Sequence, residues 1–280
     1  QLYNYIHIMN KRNFLLAVLL LLLAAPSFAA RVDTLLVNSP SMNKDVQVVV
    51  VTPDAALGKK AVACPVIYLL HGYGGNAKTW IGVKPNLPQI ADEKGIIFVC
   101  PDGKNSWYWD SPKNPSYRYE TFVSSELVKY IDEHYKTVAD RKGRAITGLS
   151  MGGHGAMWNA IRHKDTFGAG GSTSGGMDIR PFPLNWEMAK QLGEFAHNKK
   201  SWDEHTVINQ IDKIENGDLA IIIDCGESDF FLNVNKDLHN RLLARKINHD
   251  FITRPGGHTG KYWNNSIDYQ ILFFDKFFKK

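Results

Sequence analysis

The sequence predicts an α/β fold: a mostly parallel central sheet, helices on both faces and a small cap insertion. Predominantly apolar runs at residues 64–70, 95–100 and 218–226 have the length and composition of strands buried on both faces. Segments with apolar residues at helical spacing separate these runs. The first run ends in a Gly-rich loop, and such loops at the carboxyl ends of inner strands are where α/β sheets place ligand-binding groups.

The first half of the chain supplies the outer strands and a helix. Residues 32–37 and 46–51 are rich in β-branched side chains, and turn residues lie between them. This pattern predicts an antiparallel pair at one edge of the sheet. After the apolar runs, side chains at helical spacing over residues 122–135 predict a helix that covers the sheet.

The second half alternates strands and helices around one irregular segment. The predicted elements are, in order, a helix at 154–163, a small-residue strand within 167–176, a strand at 218–226, a helix at 232–246, a strand at 249–254 and a helix at 263–278. The irregular segment, residues 177–216, combines prolines, tryptophans and clustered charges and is too short for a core of its own. We therefore predict one domain over residues 30–280, with this segment as a cap-like insertion.

Residues 1–29 have the pattern of an upstream extension followed by an export signal. Met9 precedes a basic pair, residues 14–25 are apolar, and Ala29 ends a small-x-small cleavage site. The apolar run is shorter than the roughly 20 residues that span a bilayer. We expect cleavage after Ala29 or one residue later, no stable membrane anchor, and a periplasmic or extracellular location.

The charge of the chain is weak. Lys and Arg number 33 and Asp and Glu 28, which gives a net charge of +5. Removing Lys11 and Arg12 with the export signal leaves 31 basic residues against 28 acidic ones, or +3. Charge this small and dispersed argues against nucleic acid or an anionic membrane as a partner.

The three cysteines, an odd number, cannot all pair. Cys64, Cys100 and Cys225 each lie in or beside an apolar strand-like run, which favours buried thiols. A bridge between Cys64 and Cys100 stays open for an exported protein.

A G-x-S-x-G motif at residues 148–152 lies between a strand-like run and a helix start. This turn holds a serine hydroxyl, here that of Ser150, out from the backbone, and the N–H of Met151 lies where an oxyanion would form. In such sites a loop after an inner strand provides the second N–H, and Tyr73 in the loop 71–76 is the candidate. Glycine-rich turns that contain serine also occur by chance, so the motif needs a base and an acid elsewhere.

The rest of the chain supplies both groups in the order serine, acid, histidine. Of ten histidines, only His258 lies in a Gly-rich loop after the last strand, so we assign it as the base. Asp224, Glu227 and Asp229 are the candidate acids. We favour Asp229 because it lies in a loop, whereas Asp224 is still on the strand.

Aromatic residues are the candidates for substrate binding. Trp107 and Trp109 belong to the aromatic-rich loop 105–112, and they either line a cleft or pack the loop onto the body. Trp263, shortly after the base, is the third candidate.

Four motifs in order resemble the esterase D family. They are Leu69-Leu70-His71-Gly72, Gly148-Leu149-Ser150-Met151-Gly152-Gly153, Asp224-Cys225-Gly226-Glu227-Ser228-Asp229 and Gly256-Gly257-His258. The family groups S-formylglutathione hydrolases, feruloyl and acetyl-xylan esterases of carbohydrate esterase family 1, and antigen 85-type mycolyltransferases. The likeness runs from about residue 32 to the end of the chain.

The resemblance implies an α/β-hydrolase fold, a triad of Ser150, Asp229 and His258, and an oxyanion hole from the N–H groups of Tyr73 and Met151. One departure follows the base. Many members have an acidic residue and then an aromatic one there, whereas this chain has Thr259-Gly260.

The leading hypothesis is a secreted serine carboxylic-ester hydrolase that forms an acyl-enzyme and needs no metal or organic cofactor. Its expected partner is a small-molecule or polysaccharide ester with an acetyl or feruloyl-type group. The alternatives are an acyltransferase to a sugar acceptor, an S-formylglutathione hydrolase-like thioesterase, and a non-catalytic carbohydrate-binding protein on the same scaffold.

Overall fold

A computed structural model of the chain describes residues 30–280. The export signal and the start at Met9 lie outside the described residues and stay predictions. Across residues 30–280, each helix is too short or too polar to cross a membrane.

Eight strands form one sheet, in the spatial order β1-β2-β4-β3-β5-β6-β7-β8. Of the seven neighbouring pairs in that order, the first two, β1-β2 and β2-β4, are antiparallel and the other five are parallel. This confirms the mostly parallel sheet and the antiparallel pair at its edge. The strands are β1 (Arg31–Ser39), β2 (Lys44–Thr52), β3 (Val66–Leu70), β4 (Ile97–Pro101), β5 (Arg144–Gly148), β6 (Ala169–Thr173), β7 (Ala220–Gly226) and β8 (Asp250–Arg254).

Helices cover both faces of this sheet. Those of five or more residues are α1 (Thr79–Val83), α2 (Leu87–Lys94), α3 (Leu127–His134), α4 (Met151–Arg162), α5 (Met188–Leu192), α6 (Lys199–Glu204), α7 (Leu232–Ala244) and α8 (Gly260–Phe278), and a three-residue helical turn, Tyr119–Thr121, precedes the π turn before α3. Helices α3, α4 and α7 pack into the larger core cluster on one face, and α1, α2 and α8 into the smaller cluster on the other. The predicted helix over 122–135 begins with a π turn, Phe122–Glu126, and ends one residue early.

The central strands are buried on both faces, as their continuous apolar runs predict. In β3, Val66 and Leu70 lie in the larger cluster, whereas Ile67 and Leu69 lie in the smaller one. Because successive side chains of a strand point to opposite faces, only a strand covered on both sides reads as an unbroken apolar run.

The insertion, residues 177–216, contains only short helices: α5, α6 and three 3₁₀ turns. Its apolar side chains, among them Met188, Leu192 and Trp202, belong to the larger core cluster. The insertion is therefore anchored on the body of the protein.

Glu120 is a buried acid at the far end of α4 from Ser150. It accepts hydrogen bonds from Trp158 Nε1 at 2.8 Å and Arg162 Nε at 2.8 Å, and its Oε1 lies 2.8 Å from His163 Nε2. Burial alone would raise the pKa of Glu120, but the contacts with His163 and Arg162 outweigh it and lower that pKa to about 2. The carboxylate therefore ties α4 to the segment that precedes α3.

All three cysteines are buried and free in the structure. Cys64 and Cys100, the pair left open above, are not bridged.

Candidate active site

Ser150 lies in the sharp turn between β5 and α4. Its φ is 56° and its ψ −119°, a conformation that costs a non-glycine residue about 1–3 kcal/mol. Glycine flanks it because nothing larger fits. A Cβ on Gly152 would lie 2.2 Å from the carbonyl oxygen of Leu70, and one on Gly148 would lie 2.4 Å from the backbone of Gly152. The crossing of β3, β5 and α4 thus holds the serine hydroxyl out of the backbone.

His258 reaches Ser150 from the loop after β8. The Oγ of Ser150 lies 2.8 Å from Nε2 of His258, and Nδ1 of His258 lies 2.9 Å and 3.1 Å from the two carboxylate oxygens of Asp229. The backbone N–H of Phe231 also donates to Asp229 Oδ1, at 2.9 Å. Because a carboxylate only accepts, Nδ1 carries the imidazole proton, and Nε2 is left to accept the proton of Ser150.

The two other candidate acids lie elsewhere. Asp224 is buried on β7, where it accepts a hydrogen bond from Tyr262 Oη at 2.6 Å and pairs with Arg254. Burial raises the pKa of Asp224, although Tyr262 and Arg254 oppose the shift. Glu227 is exposed. Of the three acids, the structure brings Asp229 to the base.

The two N–H groups predicted for the oxyanion hole belong to the residue after Ser150 and to the loop that passes beside it. Met151 is the first residue of α4, and Gly72 approaches so closely that a Cβ there would lie 3.2 Å from Ser150 Cβ. Within residues 30–280, neither the N–H of Met151 nor that of Tyr73 has a backbone acceptor. Unpaired donors beside a nucleophile can bind the oxygen of a tetrahedral intermediate.

His71 fixes the orientation of the Tyr73 N–H. The N–H of Gly103 donates to His71 Nε2 at 2.8 Å, so Nδ1 carries the proton and donates to the carbonyl oxygen of Gly72 at 2.7 Å. The N–H of Gly75 donates to the same oxygen at 3.0 Å. Since C=O and N–H point in opposite directions across a trans peptide, these bonds turn the Tyr73 N–H away from His71.

The aromatic residues do not behave as predicted. Trp107 and Trp109 are 1% and 0% exposed, and each packs with its ring centroid 5.1 Å from that of the buried His154. Their assignment to the cleft lining is wrong, and the alternative, packing of the loop onto the body, describes them. Trp263 is partly exposed and lies edge-on to His258 at a centroid distance of 5.0 Å.

Thr259 begins the last helix. Its Oγ1 accepts a hydrogen bond from the N–H of Tyr262 at 3.3 Å and so caps α8. The departure Thr259-Gly260 thus serves the start of this helix.

Sequence reasoning missed two aromatic residues near the base, one in contact with it and one stacked on the first. Phe230 lies with its ring centroid 4.3 Å from that of His258, and Trp186 from the insertion stacks on Phe230 at 5.7 Å. The position of Phe230, next to Asp229, was a usable signal. Nothing in the sequence links Trp186 to that loop.

Comparisons with known proteins agree on one family. The family model named Esterase, with the description "Putative esterase", matches residues 39–274. The acetyl esterase of Caldicellulosiruptor saccharolyticus is 27% identical over 216 residues, which cover 72% of this chain and 79% of that protein. The S-formylglutathione hydrolase of Bos taurus is 25% identical over 214 residues, covering 69% of this chain and 72% of that protein. The solved structure of a ferulic acid esterase has a TM-score of 0.78 and 27% identity, and the match covers 90% of this chain and 100% of that one.

Proposed function

We propose that this chain, which belongs to the Esterase family and is a carboxylic ester hydrolase, is an exported serine esterase. Its proposed reaction removes acetyl or feruloyl-type groups from carbohydrate or small extracellular esters. The proposal rests on two hydrogen bonds of the same imidazole. His258 Nε2 lies 2.8 Å from Ser150 Oγ, and His258 Nδ1 lies 2.9 Å from a carboxylate oxygen of Asp229. The names of the relatives support the substrate class.

Acylation begins when Ser150 Oγ attacks the ester carbonyl and its proton passes to His258 Nε2. Asp229 stabilises the imidazolium that results. The carbonyl oxygen becomes an oxyanion between the N–H groups of Tyr73 and Met151, and each such donor lowers the barrier by about 3–4 kcal/mol. His258 then protonates the departing alcohol, and the C–O bond to that alcohol breaks.

Deacylation repeats these steps with water. His258 takes a proton from the water molecule, hydroxide adds to the acyl-enzyme carbonyl, and the proton returns to Ser150 Oγ as the acid leaves.

A fluorophosphonate probe tests the nucleophile. The wild type should be labelled and Ser150→Ala should not, whereas Ser116→Ala, which removes an exposed hydroxyl, should be labelled like the wild type. A folded wild type that takes no label would favour a non-catalytic carbohydrate-binding protein instead.

Substrate panels test the acyl group and the acceptor. Acetyl, butyryl and feruloyl esters of one alcohol rank the acyl groups, and S-formylglutathione tests the thioesterase alternative. Product analysis with and without a sugar acceptor tests acyl transfer. Hydrolysis that an acceptor leaves unchanged would exclude the transferase, whereas efficient transfer to the sugar would overturn a hydrolase as the main activity.

Export is supported by the environment of Ala30. Its backbone N–H donates to Asp92 Oδ2 at 2.7 Å, and the residue is only 9% exposed. Cleavage after Ala29 would turn this N–H into a charged ammonium group beside a carboxylate, which is a stronger hydrogen bond. N-terminal sequencing of the protein secreted from a bacterial host should find Ala30 or Arg31 first. An uncleaved chain that stays in the cytoplasm would contradict the proposal.

A further inference from the structure

Two stacked rings extend from the base toward solvent. Phe230 is 50% exposed although its ring centroid is 4.3 Å from that of His258, with 34° between the planes. The indole of Trp186 stacks on Phe230, at 5.7 Å and 22°. We call these two residues the aromatic shelf.

The aromatic shelf is fixed in place before any substrate arrives. Trp186 has a φ of +49°, a strained conformation for a bulky residue, and the next residue, Glu187, has a φ of +55°. Trp107 Nε1 donates to the carbonyl oxygen of Trp186 at 3.5 Å. The rings of Phe182 and Phe231 pack on the indole at 5.5 Å and 5.2 Å. Packing that holds a strained, partly exposed indole against the ring that contacts the base indicates a preformed binding surface.

The position of the shelf indicates which part of an ester it meets. The oxygen of the departing alcohol must lie within reach of His258 Nε2, because that nitrogen protonates it. A group bonded to the departing oxygen therefore lies near the rings that pack on His258. Among them Phe230 has the nearest centroid, 4.3 Å against 5.0 Å for Trp263, and is 50% exposed.

We propose that the aromatic shelf binds the alcohol half of the ester through the flat face of a ring, either an aryl ring or the C–H face of a pyranose. Ring faces stack on aromatic side chains at such distances, and an exposed stack accepts another ring with little reorganisation. This inference rests on the proposed esterase function and specifies its alcohol.

The test varies the alcohol at a constant acetyl group. Ethyl acetate lacks a ring, benzyl acetate has an aryl ring on an alcohol of similar reactivity, and an acetylated methyl xyloside has a pyranose. Methyl cinnamate places the aryl ring on the acyl side instead. The variants are Phe230→Leu and Trp186→Leu, which keep apolar volume but remove the flat face. Leu184→Ala, at a 97% exposed position in the same insertion, is the control.

The wild type should prefer a ring-bearing alcohol to ethyl acetate. Both shelf variants should lower the ratio of kcat/KM for that alcohol to kcat/KM for ethyl acetate by about 10-fold or more, mainly through a higher KM for the ring-bearing ester. If the loss of kcat/KM in the variants falls on benzyl acetate, the shelf binds an aryl ring. If it falls on the acetylated methyl xyloside, the shelf binds a pyranose.

Two results would overturn the inference while leaving the esterase intact. One is an equal loss on ethyl acetate, which would make the shelf a support for His258 alone. The other is a loss confined to methyl cinnamate, which would assign the shelf to the acyl group. A wild type that hydrolyses none of these esters and takes no fluorophosphonate would instead overturn the proposed function.

Discussion

Replacing Gly152 with alanine should misplace the nucleophile. The added Cβ would lie 2.2 Å from the carbonyl oxygen of Leu70 and 2.6 Å from that of His71, and real Cβ atoms essentially never approach closer than 3.0 Å. The turn and the strand β3 must therefore separate by about 0.8 Å, the difference between 3.0 and 2.2. Both contacts are with backbone, so no side chain can rotate away.

The displacement moves Ser150 relative to the loop that carries Tyr73. Because a misplacement of about 1 Å costs on the order of 100-fold in rate, we expect kcat/KM to fall by about that factor, or about 2.7 kcal/mol. Steady-state hydrolysis of an acetyl ester measures the loss, and thermal unfolding measures the accompanying destabilisation of about 1–3 kcal/mol. Gly82→Ala is the matched control, since a Cβ at this position in α1 meets nothing within 4 Å. If Gly152→Ala kept the wild-type kcat/KM, the close-contact argument would be refuted.

Three other measurements test separate parts of the structure. Asp229→Asn should lower kcat by about 10⁴-fold with little change in the unfolding temperature, because an amide that donates to Nδ1 holds His258 in the tautomer that cannot accept the serine proton; near-normal kcat would contradict the assignment. Glu120, whose pKa is lowered to about 2, should stabilise the fold by about 3 kcal/mol above its unfolded pKa of about 4.5. This stabilisation should be lost as the pH falls from 4.5 toward 2, and thermal unfolding of Glu120→Gln should lack that part of the acid dependence; a wild-type acid profile in the variant would refute it. A thiol reagent should find three reactive cysteines in unfolded, unreduced protein and almost none in the native state, whereas a single reactive thiol in the unfolded protein would indicate a disulfide.

The fold was predictable because burial on both faces leaves an unambiguous pattern. The predominantly apolar runs of β3, β4 and β7 are interior strands of the sheet, and the Esterase family match confirms the resemblance that the four motifs carry. Ser150 and His258 were identifiable for a related reason: each lies in a Gly-rich turn whose backbone geometry restricts the sequence. Spacing alone left Asp224, Glu227 and Asp229 open, since the direction of each side chain depends on where the loop after β7 turns.

The substrate-facing aromatics were not predictable. Trp107 and Tyr108 both have positive φ, 56° and 61°, and their side chains are 1% and 0% exposed. The composition of a loop does not determine whether its aromatic side chains face the core or the cleft. It therefore indicated Trp107 and Trp109, which are buried. Trp186 precedes β7 in the chain and Phe230 follows it, so only the tertiary structure reveals the contact between them.

The base lies in the loop that follows an edge strand, β8. Within residues 30–280, strand β8 pairs only with β7, and its side chains are exposed or only partly buried, whereas Ser150 follows the fully buried β5. Edge elements open locally at a lower free energy than the whole fold. Local unfolding of β8 would displace His258 from Ser150 while the rest of the sheet stays folded. Heat or denaturant should therefore abolish activity before global unfolding. Ser150 would then keep its place but lack its base, in a protein whose overall secondary structure is still native.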